Sequence, residues 1–384
     1  ADADRFIAAA QAENLEAYQV AVVTESPRMV MHWKGQKIAD LSREFLNTNG
    51  AVKHANLCVE KKDRTALAQS SVHSLKELAA SLKSASRRGL TERFDGSIGA
   101  GSVLMPFGGK TQRTPAQAMA ALFPVEPNQE TDQASVMAWG CDPDQLSVDP
   151  YAGAHSAVYT SMAKIVAAGA DYKKAYLTLQ EFFEKLRNEP QRWGKPFFAL
   201  LGALDAQLEL GAAAIGGKDS MSGSFLDKDV PPTLISFAIA PIQGQQVLSP
   251  EFKAADHPVY LFRSEDTKSA WEAFHALCEA GKVKAAWAVE NGLAEAVMKM
   301  SFGNRIGFQA GMENVDWYVP MTGAIVAELS EDINDPCAVR IGETNEAPFV
   351  ALPGEAVSID ELLKLNDGVL ESVYPTKAGS SEEV

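Results

Sequence analysis

Gly216-Gly217-Lys218-Asp219-Ser220-Met221-Ser222-Gly223-Ser224-Phe225 sets glycines, a cation, a carboxylate and hydroxyls between two apolar segments. Upstream, Leu200, Leu204 and Leu208 recur at helical spacing, and Gly211 follows as the helix C-cap. Ala212 to Ile215 is short enough to be a buried strand. Downstream, Ile235, Phe237 and Ile239 alternate with Leu234, Ser236, Ala238 and Ala240, which is a strand period. A glycine loop between buried elements exposes backbone N–H groups suited to a phosphate or carboxylate. Glycine, aspartate and serine also favour an ordinary solvated turn, and composition does not separate the two readings.

Outward from this stretch, the pattern predicts strands and helices that mix without strict alternation, hence an α+β fold of packed layers. At the start, a helix-like segment (Phe6, Ile7, Ala10, Leu15) precedes a strand at Val20 to Val23. Met29 to Trp33 and Gln36 to Leu41 then flank the hairpin turn Lys34-Gly35, and Ser42 to Leu46 adds a short helix. A long polar helix carries Leu75, Leu78 and Leu82. Strands follow at Val103 to Phe107 and at Ser135 to Trp139. Helices are expected at His155 to Ala168, ended by Gly169, and at Lys173 to Arg187, with Leu177, Phe182, Phe183 and Leu186 as its apolar stripe. A second domain opens with a strand at Val259 to Phe262, followed by helices at Thr267 to Ala280 and Leu293 to Met300. Ser358 and Glu361 form a capping box for the last helix.

The 384 residues suffice for two domains with ample cores. A formal charge of −15 argues against a nucleic-acid groove or an anionic membrane surface, while leaving room for a local basic pocket. Cys58, Cys141, Cys278 and Cys337 are scattered without a CxxC pair, as reduced thiols of a cytoplasmic protein would be. No apolar run is long enough to span a bilayer. Gly108-Gly109-Lys110-Thr111 imitates the end of a P-loop, but Leu104 stands where that motif requires its first glycine. Asp142, Asp144 and Asp149 could hold Mg²⁺ or, as aspartates more often do, cap turns. The six histidines share no fixed spacing with carboxylates, and Met298 and Met300 read as core.

Four stretches, in order, resemble the second half of the synthetase region in the large-form phosphoribosylformylglycinamidine synthases. They are Arg87-Arg88-Gly89-Leu90 through Phe94-Asp95, Leu104 to Lys110, Gly216 to Phe225, and Phe302-Gly303-Asn304-Arg305-Ile306-Gly307-Phe308. The resemblance implies the two-domain unit of the aminoimidazole ribonucleotide synthetase superfamily, with mixed α/β sandwich layers. It divides the chain into the tail of a preceding synthetase domain (1–50), an N-terminal-like domain (51–245) and a C-terminal-like domain (246–375). A disordered tail or linker (376–384), entered at Tyr374-Pro375-Thr376-Lys377, leads toward an absent glutaminase domain.

The parent reaction so implied is the ATP- and glutamine-dependent conversion of formylglycinamide ribonucleotide to formylglycinamidine ribonucleotide, in purine biosynthesis. It uses ATP and Mg²⁺ in the full enzyme. The resemblance assigns Gly216, Gly217, Lys218 and Asp219 to nucleotide binding and Ser220 and Ser222 to substrate, with no catalytic residue in this half. Met137, Thr160, Lys164, Trp287 and Val289 fall where the family keeps metal ligands, and Lys218 replaces an asparagine ligand of the shorter form. Neither methionine nor tryptophan coordinates Mg²⁺, and an ammonium repels it. A degenerate nucleotide site follows, filled by Lys164 and Lys218, with no metal and no nucleotide held tightly. The chain then reads as a fragment that is inactive alone, packs against the absent first half, and as an isolated piece pairs into a homodimer. The alternative is a self-contained ATP-using enzyme of the same superfamily that acts on a small phosphorylated metabolite.

Overall fold

The computed structural model describes residues 2–48, 54–59, 72–94, 96–97 and 99–377. Asp95 of the first quoted stretch and the tail from 378 onward therefore lie outside the described residues. The chain forms two compact units, Ala1–Asn56 and Leu57–Val384. The first holds α1 (Ala3–Ala12), a hairpin of β1 (Arg28–Trp33) and β2 (Gln36–Ser42), and α2 (Arg43–Thr48). The hairpin turns where expected, at Lys34 and Gly35, both with positive φ. Val20 to Val23 is not a strand: it has no regular structure, and without a pairing partner its valines stay exposed.

The second unit begins with α3 (Leu75–Ala79) and α4 (Arg88–Thr91), and a two-residue ribbon pairs β3 (Phe107–Gly108) with β4 (Thr114–Pro115). The expected long helix stops after five residues, because Leu75 and Leu78 are buried while Leu82 points to solvent. Val103 and Leu104 lie outside any strand, both donating to the Ala120 carbonyl. β5 (Met119–Leu122) and β6 (Gln133–Gly140) lead to α5 (Pro143–Val148) and α6 (Pro150–Ala167). Asp142 and Asp149 cap these two helices through their carboxylates, the capping use expected of them.

Lys173 to Arg187 is not a helix. Tyr176–Phe182 is β7, inserted between two other strands, and its Leu177 and Glu181 face inward at strand period. The helix that does follow, α7 (Pro190–Leu210), ends at Gly211, which adopts φ of 69° as a left-handed C-cap. The leucines at helical spacing do not form its buried face. Leu200, Leu204 and Leu208 are 50%, 45% and 72% exposed, while Gly194, Ala199, Gly202, Ala203 and Ala206 are buried. Small residues win that face because α7 lies close against α6. A Cβ on Gly202 would overlap the Tyr151 carbonyl oxygen.

β8 (Ala213–Lys218) is then an edge strand with every residue exposed, not the buried strand expected for Ala212 to Ile215. After β9 (Ser224–Phe225) and β10 (Lys228–Asp229), β11 (Thr233–Gln243) completes a five-stranded sheet of order β5-β6-β11-β7-β8. The pairs are antiparallel except β7 with β8. Strand period along β11 is as expected, but Leu234, Ser236, Ala238 and Ala240 face the core, not Ile235, Phe237 and Ile239.

A seven-stranded sheet follows, of order β13-β15-β12-β16-β14-β17-β18. Its strands are β12 (Pro258–Phe262), β13 (Val283–Ala288), β14 (Gly307–Ala310), β15 (Ile325–Leu329), β16 (Ala338–Asn345), β17 (Phe349–Leu352) and β18 (Glu355–Ser358). α8 (Thr267–Glu279) shares one buried cluster with Tyr260, Phe262 and Ala286, and that cluster continues through α6 into the first sheet. On the other face, α9 (Leu293–Phe302) and α10 (Ile359–Gly368) pack with Val259, Leu261, Trp287 and Val326. Ser358 caps α10 as expected, accepting from Glu361 N–H. The two sheets, one on either side of residue 245 in the chain, share this continuous core within the single unit Leu57–Val384.

The close α6–α7 contact makes a test. Gly202→Ala adds helix propensity worth about 1 kcal/mol, yet its methyl must displace backbone. We expect a net destabilisation of about 2 kcal/mol, read as a lower urea midpoint at unchanged slope. A stabilised variant would show that the two helices can separate freely.

Candidate functional site

The quoted motifs divide into structural and cleft-forming sets. Leu104 to Lys110 and Phe302 to Phe308 lie back to back: Lys110 N–H donates to Asn304 Oδ1 at 2.9 Å and Thr111 N–H to the Gly303 carbonyl at 2.9 Å. Gly303 N–H in turn donates to Thr114 Oγ1 at 2.8 Å. A Cβ on Gly109 would overlap the Gly303 backbone, and one on Gly303 would overlap the Gly108 carbonyl oxygen. Gly89 meets the Tyr374 carbonyl in the same way, which seats the Tyr374-Pro375 segment on α4. These glycines join distant parts of the chain rather than hold a ligand.

Between the two sheets opens a cleft of about 870 Å³. β5, β6 and β11 supply an apolar wall of Met119, Met137, Trp139, Ile235 and Phe237. Hydroxyls and basic groups from the α3–α4 region, among them Lys83, Ser84, Ser86 and Arg87, form the opposite side. Thr160 and Lys164 of α6 meet Trp287, Glu290, Glu295 and Lys299 at its floor. Met137, Thr160, Lys164 and Trp287 are thus brought to one place. Val289 is buried in the core behind it.

Lys164 is 4% exposed, and its Nζ donates to the Trp139 carbonyl at 3.0 Å and to Glu290 at 2.9 Å. The same ammonium sits 4.4 Å from the centroid of the Trp139 indole. Glu290 also accepts from Gln117 Nε2, which bridges to the Ala288 backbone and so ties the two lobes together. Glu295 is buried and accepts from the Asn291 backbone and side chain. Burial, followed by the nearby Glu290 charge, raises its pKa above the carboxylate range. One turn on, burial lowers Lys299 to about 8, opposed by Glu295. Its Nζ donates to the Ser84 carbonyl at 2.5 Å and to Asn366 Oδ1 at 2.9 Å. Burial, followed by Asp142, raises the Cys141 thiol to about 11, which removes thiolate chemistry from the cleft near neutrality.

The donor set does not suit Mg²⁺. Asp142 is engaged by Lys83 and by the first N–H groups of α5, Glu290 by Lys164, and Glu295 by Asn291. Among the described residues, no group of three or more His, Cys, Asp or Glu side chains could hold a metal ion. Seating Mg²⁺ at Glu290 would require expelling a buried ammonium.

The residues assigned from the glycine stretch lie elsewhere. Gly216, Gly217 and Lys218 belong to β8 and are exposed, not in a loop, because β8 pairs with β7 as far as Lys218. None of residues 216–225 lines the cleft, so Lys218 does not share a site with Lys164 there. Asp219, Ser220 and Ser222 form the turn beyond, where Ser220 N–H donates to the Glu181 carbonyl and the two serine hydroxyls lie 2.9 Å apart. Under this turn Glu181 is 8% exposed with its Oε1 unpartnered. Desolvation and then the Asp219 charge raise its pKa to about 7. The sequence offered no signal for Glu181, which looked like part of a helix.

Because the folded-state pKa of Glu181 lies above the usual value, its ionisation destabilises the fold progressively as pH rises through about 7. Glu181→Gln should therefore flatten the fall in melting temperature between pH 5 and pH 8 relative to wild type. Parallel melting curves for the two proteins would refute the perturbation.

No protein-family model matches the chain. In sequence it is similar to phosphoribosylformylglycinamidine synthase subunit PurL of Thermoplasma acidophilum, 21% identical over 378 residues, covering 91% of this chain and 48% of that protein. The corresponding subunit of Picrophilus torridus is 21% identical over 333 residues, covering 79% of this chain and 44% of the relative. In fold it is similar to PurLQS from Thermotoga maritima, with a TM-score of 0.58 and 17% identity over 90% of this chain and 53% of that one. T. maritima PurL complexed with FGAR gives a TM-score of 0.56 and 18% identity, over 90% and 52% of the two chains. PurL complexed with AMPPCP gives 0.58 and 17%, over 90% and 54%. The chain spans about half the length of the curated relatives it matches. Over that half it has the mixed α/β fold of the T. maritima PurL structures.

Proposed function

We propose that this chain is the second half of the synthetase region of a phosphoribosylformylglycinamidine synthase. The observation that carries this reading is similarity, in sequence and in fold, of about nine-tenths of the chain to half of PurL. In the whole protein, ATP phosphorylates the formamide oxygen of formylglycinamide ribonucleotide, and ammonia from glutamine displaces the phosphate. Relatives complexed with ATP and with FGAR support both the nucleotide and the substrate class. The preceding half and a glutaminase domain are the partners, and the cytoplasm, where purine synthesis proceeds, is the compartment. Consistent with a soluble enzyme, no helix among the described residues is long and apolar enough to cross a membrane.

In this reading the cleft is the chain's own ligand site. Ser220 and Ser222, with Gly216, Gly217, Lys218 and Asp219, serve a composite site completed by the other half. Mg²⁺ acts in that other half, since the cleft residues here do not fit it. Beyond the cleft, the five-stranded sheet supports a missing partner: Tyr176, Phe182 and Ile215 leave large apolar side chains exposed on β7 and β8.

Mixing this chain with the separately expressed remainder of the enzyme should restore glutamine-dependent formation of the amidine, while the chain alone turns over no ATP. Turnover by the isolated chain would favour the self-contained enzyme. In the reconstituted enzyme, Ser220→Ala should raise KM for the ribonucleotide or lower kcat at least roughly tenfold, the loss of one charge-assisted hydrogen bond. Unchanged activity with a lowered melting temperature would make the turn purely structural. Alone, the chain should pair through its uncovered sheet into a homodimer, since closed twofold dimers are the commonest oligomers. A monomer by light scattering at tens of micromolar, roughly the range where weak dimers form, counts against it.

A further inference from the structure

Resting on the reading of the cleft as a ligand site, we infer that it binds a phosphate-bearing anion without any divalent cation, Lys164 standing in as a fixed internal charge. Four observations carry this. First, the whole chain bears a net charge of −15, yet five basic side chains line the cleft against three acidic ones, with Lys83 and Arg113 further paired by Asp144 and Asp367. Second, each of those acids is already engaged by a cation or by amide N–H groups, so none is free to recruit a metal. Third, the cleft lining includes buried polar groups with no partner among the described residues: Trp287 Nε1 at 4% residue exposure and Ser84 Oγ at 2%. Leaving a buried donor unmatched costs about 1–3 kcal/mol, and an anion's oxygens would satisfy it. Fourth, Lys164 uses two of its three N–H groups on Trp139 and Glu290, which leaves one for a ligand.

Arg87 adds a guanidinium at the cleft edge with no carboxylate partner among the described residues. Its planar fork matches phosphate. The indole of Trp139 and the ring of Phe237 offer the apolar wall against which the organic part of the ligand rests. A metal-bound nucleotide fits poorly, because its Mg²⁺ would face the Lys164 ammonium with no free carboxylate to hold it.

Titration calorimetry on the full chain with ADP, in EDTA and then in excess MgCl₂, tests the assignment. ADP should bind in EDTA, and Mg²⁺ should leave the affinity unchanged or lower it. Trp287→Phe, which deletes the N–H together with part of the buried ring, and Arg87→Ala, at an exposed position, should each weaken ADP roughly tenfold, about 1.4 kcal/mol. Lys174→Met, a charge removed outside the cleft, should not. Ribose 5-phosphate in place of ADP tells whether phosphate and sugar suffice or the base is needed, and binding of either supports the inference. Binding that appears only with Mg²⁺, or strengthens about tenfold with it, overturns the inference. So does the absence of heat in both buffers, or wild-type affinity in both cleft variants. A chain that binds no ADP yet restores amidine formation with its other half sinks the inference alone, and the functional reading stands.

Discussion

Helix α6 is the member on which the rest depends, and Lys164 is its exacting residue. From Ser161 to Ala168 the helix has no exposed residue, with the first sheet on one side and the second on the other. A helix buried all round must satisfy each polar group it carries. Ser161 does so through Val158 and the Ser236 hydroxyl. An ammonium in that place costs several kcal/mol unless paired. Lys164 is paired by a carbonyl from the first sheet and a carboxylate from the end of β13, so its neutralisation requires both lobes at once. Gln117 reinforces the same junction by bonding both edges of Ala288.

That junction decides the character of the cleft. With Glu290 held by Lys164 and Glu295 buried and bonded to Asn291, the acidic groups at the floor cannot gather around a cation. What remains unsatisfied is of the opposite kind, a buried indole N–H, a serine hydroxyl and an arginine fork. A surplus of donors with the acceptors already spent is a site for oxygen-rich anions, whereas a surplus of carboxylates would be a metal site. The exchange of one ammonium for one metal thus changes what the same cavity can hold.

Much of the fold was legible because its signals were local. The capping box at Ser358, the positive-φ turn at Gly35 and the C-cap at Gly211 are each written within a few residues. Strand β7 was not, since Leu177, Phe182, Phe183 and Leu186 give no clean period, and its state is set by β11 and β8 pairing on either side. The helical spacing of Leu200, Leu204 and Leu208 does not tell the facing of α7 for a related reason: a close helix pair selects glycine and alanine for its buried side, and so leaves leucines on the outer one. At the site, alignment on motifs brought Met137, Thr160, Lys164 and Trp287 to notice, and folding brings them together. Glu181, Glu290 and Arg87 carry no such pattern, because their importance comes from neighbours more than a hundred residues away or from what they fail to meet.

Two carboxylates, Glu290 half-buried and Glu181 buried, show how differently polar burial can be resolved. Glu290 has its counter-charge within the chain and also accepts from Gln117, so its charge is met by neighbours on the cleft floor. Glu181 has none: beneath the turn of Asp219, Ser220 and Ser222 it adds to a second carboxylate's charge and keeps an unpartnered oxygen. An isolated chain can tolerate that arrangement by holding a proton, and burial near Asp219 drives it to do so. A basic group arriving from outside would relieve it more completely, by restoring the lower pKa and fixing the turn. The negative and unmatched turn on the edge of one sheet, and the positive and pre-paired cleft between two, therefore call for different occupants. The cleft needs only a small anion. The turn, on an exposed edge strand next to an uncovered apolar sheet face, is better matched by another protein surface, which is where a composite site with the other half would form.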